Sequence, residues 1–182
     1  MKNSDVTLRE HERWMRLALA EAGAALALGE FPVGCVLVHG GEVLASGKRT
    51  HSSGRVNEMD HAEMLALRGF LDAKTGVSPQ ELTVYATMEP CLMCFSTLIL
   101  NGIRKIVYAY EDVMGGGTNL PLTALRPLYE TMEIEVVPAV LRQESLALFQ
   151  QFFRDPDNPY WKGSLLADYT LKQTLIPHPL TF

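Results

Sequence analysis

The sequence predicts an α/β protein built on a mixed sheet, and three observations carry that expectation. Short apolar runs with strand character alternate along the chain with longer stretches of helical periodicity, the pattern of a layered α/β architecture. The first two runs, at residues 33–38 and 42–47, are joined through Gly40 and Gly41. That is a two-residue hairpin signal, so at least one strand pair is antiparallel. A length of 182 residues with 47% apolar and 20% charged side chains suits one hydrophobic core.

Taken in order, residues 7–10 (TLRE) read as a capping box, with Thr7 as N-cap and Glu10 reaching back. The helix that follows places Trp14, Leu17, Ala18, Ala25 and Leu28 near one face and stops at Gly29. The hairpin comes next, then a polar loop over residues 48–60. A second helix is expected from about Asp60 to Leu71, followed by a loop containing Gly76 and Pro79. Residues 82–87 (LTVYAT) form a strand. The next helix opens with Pro90 in its first turn and closes at Asn101 and Gly102. Residues 104–110 form a strand, glycines 115–117 a loop, and residues 123–131 a short helix. A last strand at 133–138 leads into a strong helix at 142–153. Beyond Arg154 the stretch DPDNPYWKG breaks the pattern; residues 164–173 suit a short helix, and 176–182 are expected to be loose. Residues 1–154 are thus read as the main domain and 155–182 as an extension packed on it or trailing from it.

Composition narrows the function. The amino-terminal stretch is polar and has no apolar signal region, and the most apolar helical stretch is short and broken by Glu21. A cytoplasmic protein with no membrane-spanning part is expected. A net charge of -5 argues against a dedicated nucleic-acid binder, although local basic patches fit on an acidic surface. Three cysteines, an odd number, do not suggest a disulfide framework.

Cys91 and Cys94 stand three apart at the start of a helix, so their sulfurs share a face, and the helix N-terminus favours thiolates. Such a pair can grip a metal, form a redox couple or sit in a core. His61, which also opens a helix, is available as a third ligand, and Glu63 stands two residues beyond it. Three protein ligands would leave a fourth tetrahedral position for water, the pattern of a catalytic zinc. Glu63 has a plainer reading as the end of a capping box begun by Asp60. Cys35 lies in an apolar strand and is read as a buried thiol, with a fourth-ligand role as the alternative. His11 and His39 are read as helix-surface and turn residues, and His178 carries no signal.

The motifs HAE (61–63) and PCLMC (90–94) together resemble the H-x-E…P-C-x-x-C signature of zinc deaminases. The stretches HERWMRLALAEA, EFPVGCVLV, HAEMLALR, TMEPCLMC and NGIRKIVYA extend the likeness over about residues 9–154. The chain resembles the cytidine/deoxycytidylate deaminase superfamily, and within it the tRNA-specific adenosine deaminase branch. That resemblance implies a three-layer α/β/α fold with a five-stranded mixed sheet. It implies one Zn2+ per subunit held by His61, Cys91 and Cys94, with Glu63 as the catalytic proton shuttle. It implies a substrate pocket formed by Val33, Arg49, Thr50, Ala62, Glu89 and Pro90, and a homodimer. The apolar helix after Cys94 and the Phe149, Phe152, Phe153 cluster suit either a dimer interface or a core.

The implied reaction is hydrolytic deamination of an amino-bearing nucleobase, most like wobble adenosine to inosine in tRNA. A free base, nucleoside or nucleotide of the guanine, cytosine or deoxycytidylate kind is the alternative, and a non-catalytic zinc-binding subunit a remote one. Three departures from the branch concern the substrate. Its base-holding asparagine is replaced by Arg49 or Thr50, its basic loop by the acidic, glycine-rich YEDVMGGGTN, and its short basic tail by the extension. Fewer cations mean less affinity from counterion release. Against this, Lys48, Arg49, His51 and Arg55 cluster in one loop, which reads either as a solvated surface or as a phosphate contact.

Overall fold

The computed structural model describes residues 2–176, with side chains from Leu8 onward. His178 and all but the first residue of the stretch expected to be loose lie outside the described residues. The elements are α1 (Lys2–Ala27), β1 (Gly34–His39), β2 (Glu42–Lys48), α2 (Ala62–Ala73), β3 (Thr83–Met88), α3 (Leu92–Leu100), β4 (Lys105–Tyr110), α4 (Pro127–Glu130), β5 (Glu135–Val137), α5 (Arg142–Arg154) and α6 (Leu165–Lys172). Short 3-10 turns occupy Pro79–Glu81 and Leu122–Ala124.

The five strands form one sheet in the order β2-β1-β3-β4-β5. β1 runs antiparallel to β2 and β3, whereas β3, β4 and β5 are mutually parallel. The sheet is therefore mixed, as the hairpin requires. Both turn glycines take positive φ, +59° and +83°, which matches the hairpin to the twist of its strands. One residue of β2 is bulged where the register shifts between Leu37 and Val38.

Helices cover both faces. α1 packs on β1 and β3, where Trp14, Met15 and Ala18 meet Val36, Val38, Tyr85, Val107 and Ala109. α2 packs on β2 and β1 and touches α3, and there Ala62, Ala66, Leu67, Phe95 and Leu98 join Cys35, Leu37, Val84 and Ile106. The alternation along β1 follows from the two-residue period of a strand. α5 packs against α1 and β4, and α6 lies on α5. Phe149 and Phe152 are buried, so the phenylalanine cluster belongs to the core. Among the described residues no helix is long and apolar enough to cross a membrane.

The boundaries correct several expectations. α1 begins at Lys2, so Thr7 lies inside the helix and does not cap it; no glycine or proline precedes Thr7 to stop the helix propagating back. Its buried face is His11, Trp14, Met15, Ala18, Ala22 and Ala25, while Leu17 and Leu28 are 44% and 67% exposed. At ~100° per residue those two leucines fall roughly a quarter-turn or more from the middle of that face. His11 is accordingly buried, with Nδ1 2.9 Å from the Tyr85 hydroxyl. Burial lowers its pKa, and Lys105 adds to the effect. α2 begins two residues later than expected, with His61 as its N-cap. α3 is capped by Cys91, which places Pro90 just before the helix and not in its first turn.

Candidate active site

His61 and Cys91 are the N-cap residues of α2 and α3, both in extended backbone conformation, and neither side chain makes a capping hydrogen bond. Both side chains turn toward each other. His61 Nδ1 lies 3.6 Å from Cys91 Sγ and 3.4 Å from Cys94 Sγ. Cys94, three residues into the same helix, is fully buried. The three donor atoms lie within 4.8 Å of one another, the single such cluster found among the described residues.

These distances fit a zinc ion. Zn–N of about 2.0–2.1 Å and Zn–S of about 2.3 Å in a tetrahedral arrangement hold nitrogen and sulfur about 3.6 Å apart. The thiols are chemically ready for it. The Cys94 thiol donates to Cys91 and His61 lies alongside, which brings the Cys91 pKa down to about 4. Donation to Cys91, together with burial, pushes the Cys94 thiol up, so the metal-free pair shares one proton that a cation would displace. The other imidazole nitrogen, Nε2, lies 3.3 Å from Glu58 Oε2. A proton on Nε2 donated to Glu58 leaves the Nδ1 lone pair facing the sulfurs.

Glu63 is 3% exposed and lies in the first turn of α2. Its Oε2 is buried without a hydrogen-bond partner, an arrangement costly enough to need an account. Burial raises its pKa, and His61 partly opposes this. Asp60 does not open a capping box with it; the Asp60 carboxylate instead bonds His51 Nδ1 at 2.6 Å and accepts from Asn57 at 2.7 Å.

A cavity of about 360 Å3 opens over these groups. Of the residues expected at the site, Val33, Arg49, His61, Ala62, Glu63, Glu89 and Cys91 line it. Thr50 and Pro90 do not: the Thr50 amide donates to Asp60 O, and the Pro90 carbonyl accepts from Gly117. Cys35 is fully buried and outside the three-donor cluster. Of the four basic side chains in the 48–55 loop only Arg49 reaches the cavity; Arg55 and His51 border a separate surface hollow. Arg49 is 1% exposed. It donates through Nη1 to Asn57 O (2.8 Å) and through Nη2 to Glu58 Oε2 (3.0 Å) and the Tyr160 hydroxyl (3.4 Å).

The lining residues that sequence reasoning missed include Phe31, Glu58, Met88, Asp112, Tyr160 and Trp161. The last two belong to the stretch that broke the secondary-structure pattern, where an aromatic pair flanked by proline and glycine was the available signal. The glycine-rich loop also has a local reason. Glu89 accepts from the Asp112 amide and from the Thr118 amide and hydroxyl, drawing the loop against the start of α3. A Cβ at Gly117 would lie 2.7 Å from Leu92 Cα and 2.8 Å from Leu92 N.

The model of the cytidine and deoxycytidylate deaminase zinc-binding region matches residues 8–110. A tRNA-specific adenosine deaminase of Bacillus subtilis is 32% identical over 150 residues, covering 81% of this chain and 91% of its own. One from Agrobacterium fabrum is 32% identical over 149 residues, covering 81% and 97%. A solved structure of a tRNA:A34 deaminase, studied for A-to-I editing at the wobble position, superposes with a TM-score of 0.59 at 28% identity, covering 69% of this chain and 96% of that one. The family match runs from α1 through β4 and so takes in both helix starts that meet at the three-donor cluster. The chain belongs to the cytidine and deoxycytidylate deaminase family of zinc-binding enzymes.

Proposed function

We propose that this deaminase hydrolyses the exocyclic amine of a nucleobase, with His61, Cys91 and Cys94 holding one zinc ion per chain and Glu63 moving the protons. The observation that carries the assignment of Glu63 is its buried, partnerless carboxylate oxygen in the cavity that also holds His61 and Cys91. Zinc bound there supplies the Lewis acidity that makes water nucleophilic near neutral pH. Glu63 accepts the proton of the attacking water, returns it to the ring nitrogen beside the reacting carbon, and helps the amine leave as ammonia. One water is consumed and one ammonia released. A carboxyl whose pKa is raised by burial takes up and gives back a proton more readily near neutral pH than a solvated one.

Adenosine in a tRNA anticodon, deaminated to inosine, is the first substrate reading, supported by the names of the relatives. A small molecule is the second: a free base, nucleoside or nucleotide of the guanine, cytosine or deoxycytidylate kind. It is favoured by the wall in which the buried Arg49 is bonded to the exposed Glu58 and the half-buried Tyr160, the last of which lies beyond the family match. Ammonia release against guanine, cytosine, adenosine, deoxycytidylate and an anticodon stem-loop distinguishes the two. Turnover of the stem-loop alone supports the tRNA reading, and turnover of a small molecule alone removes it. A homodimer acting in the cytoplasm belongs to the same proposal, and sedimentation of the purified protein tests the assembly. The extension from residue 155 onward is taken as part of the same domain, since its residues help to wall the cavity.

A further inference from the structure

We propose that Trp161 is a stacking platform for the flat ring of the substrate and thereby contributes to its binding; the inference rests on the deaminase reading above. Trp161 lines the cavity that holds His61 and Glu63, yet it is 45% exposed. Leu166 and Ala167, shortly after it, are buried. A large aromatic is thus held at the edge of the site and not in the core. Its backbone has φ +55°, in the left-handed region that a bulky residue occupies only against strain. Tyr160 fixes it from one side, with ring centroids 5.7 Å apart and planes at 71°. Tyr160 is itself pinned. Its hydroxyl donates to Glu58 Oε2 at 3.1 Å, its ring meets Phe31 at 5.3 Å, and the Arg49 guanidinium lies 5.8 Å from its centroid.

The rest of the lining specifies what would stack there. Phe31, Val33, Met88 and Leu166 give an apolar interior suited to a planar heterocycle. The charged groups on the wall are mostly acidic: Glu58, Glu63, Glu89 and Asp112 stand against Arg49, whose charge Glu58 already answers. An uncharged base is favoured inside this cavity, and a phosphate is not. Base–aromatic stacking of this kind is sequence-tolerant and adds roughly 10- to 100-fold in binding.

Two substitutions and one optical signal test the role. Trp161→Gly removes the ring and suits the positive φ, so the backbone is relieved and not broken. Trp161→Phe keeps a smaller platform. On whichever substrate the wild type turns over, Trp161→Gly is expected to raise KM about 10- to 100-fold with kcat changed less than about 3-fold, and Trp161→Phe to recover most of the loss. Independently, adenine, guanine and cytosine titrated into the wild type should quench tryptophan fluorescence saturably, because the other tryptophan, Trp14, is buried in the core on α1's side of the sheet. Trp161→Gly should abolish that quenching. Turnover with an unchanged KM in Trp161→Gly overturns the stacking role and leaves the deaminase reading standing. Saturable quenching without turnover of any substrate does the reverse. Neither quenching nor turnover overturns both.

Discussion

His61 and Cys91 hold N-cap positions without doing what N-caps do. A serine or aspartate there would satisfy a helix amide and add about 1 kcal/mol; the chain forgoes this twice, which keeps both side chains free to face each other. The expected consequence is a separation of metal binding from helix stability. Cys91→Ser should lose zinc, read as metal content after purification. Melted in chelator, it should be as stable as the wild type or more stable by about 0.5–1 kcal/mol, since serine is the better cap. Full zinc occupancy in that variant would remove Cys91 from the ligand set. Glu63→Gln should keep zinc and lose turnover by roughly 10²–10⁴-fold, the usual worth of a positioned general acid–base; ammonia release by the metal-loaded variant at near wild-type rate would exclude the proton-transfer role. These residues were legible in the sequence because their spacing is local: two apart in HAE, three apart in the cysteine motif. Arg49 was expected at the pocket, but its burial was not legible. A cation in a polar loop reads as solvated, and one of the groups that enclose it, Tyr160, is 111 residues away.

The elements that carry these residues are placed by backbone contacts that leave no room for a side chain. A Cβ on Gly47 in β2 would lie 2.3 Å from Ala62 O and 2.7 Å from Ala66 N. The first turn of α2, which delivers Ala62 and Glu63 and is capped by His61, therefore rests directly on β2. Gly47→Ala should push that turn off the sheet, costing about 1–3 kcal/mol and weakening zinc binding in a chelator competition. Gly69, also in α2, is the control, because a Cβ added there would meet nothing within 4 Å. Gly69→Ala should gain about 0.5–1 kcal/mol with zinc affinity unchanged, because it relieves only the entropic cost of glycine in a helix. Equal zinc affinity in Gly47→Ala and wild type would show that the close approach does not position the site. Strands were legible to within about two residues at each end, since apolar runs between turn residues leave little choice. Helix starts were less so. Thr7, Asp60 and Pro90 each look like helix-opening residues, yet the helices begin elsewhere. Periodicity shows that a helix exists, whereas its first turn answers to tertiary demands, here the need to aim His61 and Cys91 at one point.

At the scale of the whole molecule, the segment after Arg154 changes the shape of the site. Its short helix was expected over residues 164–173, and in the structure Ser164 caps it, its Oγ accepting from the Ala167 amide. Its destination was not legible, because it depends on partners in β4, in the loop just after it and in α5. Thr170 bonds Tyr110 at 3.0 Å, and Gln150 donates to the carbonyls of Thr170 and Gln173. Glu111, just past β4, accepts from Arg142 of α5 at both oxygens and from the Tyr169 hydroxyl of α6 at 2.7 Å. Burial pulls the pKa of Glu111 up, but the bonds from Arg142 and Tyr169 outweigh it and hold the carboxyl below its usual 4.5. Its proton affinity is thus lower folded than unfolded, so between the two pKa values the unfolded chain binds more protons. The stability it contributes is fully present above about 4.5 and is lost as pH falls through the folded value. Acidification should therefore loosen α6 ahead of the sheet, seen as faster amide exchange over Leu165–Lys172 than over β1 or β3. Glu111→Gln should loosen α6 at neutral pH and flatten its acid response. If that variant keeps the wild-type exchange profile from pH 7 down to about 3, Glu111 does not fasten the extension. Because Tyr160 and Trp161 precede α6 in the same segment, loosening it should also raise KM on any substrate the enzyme accepts.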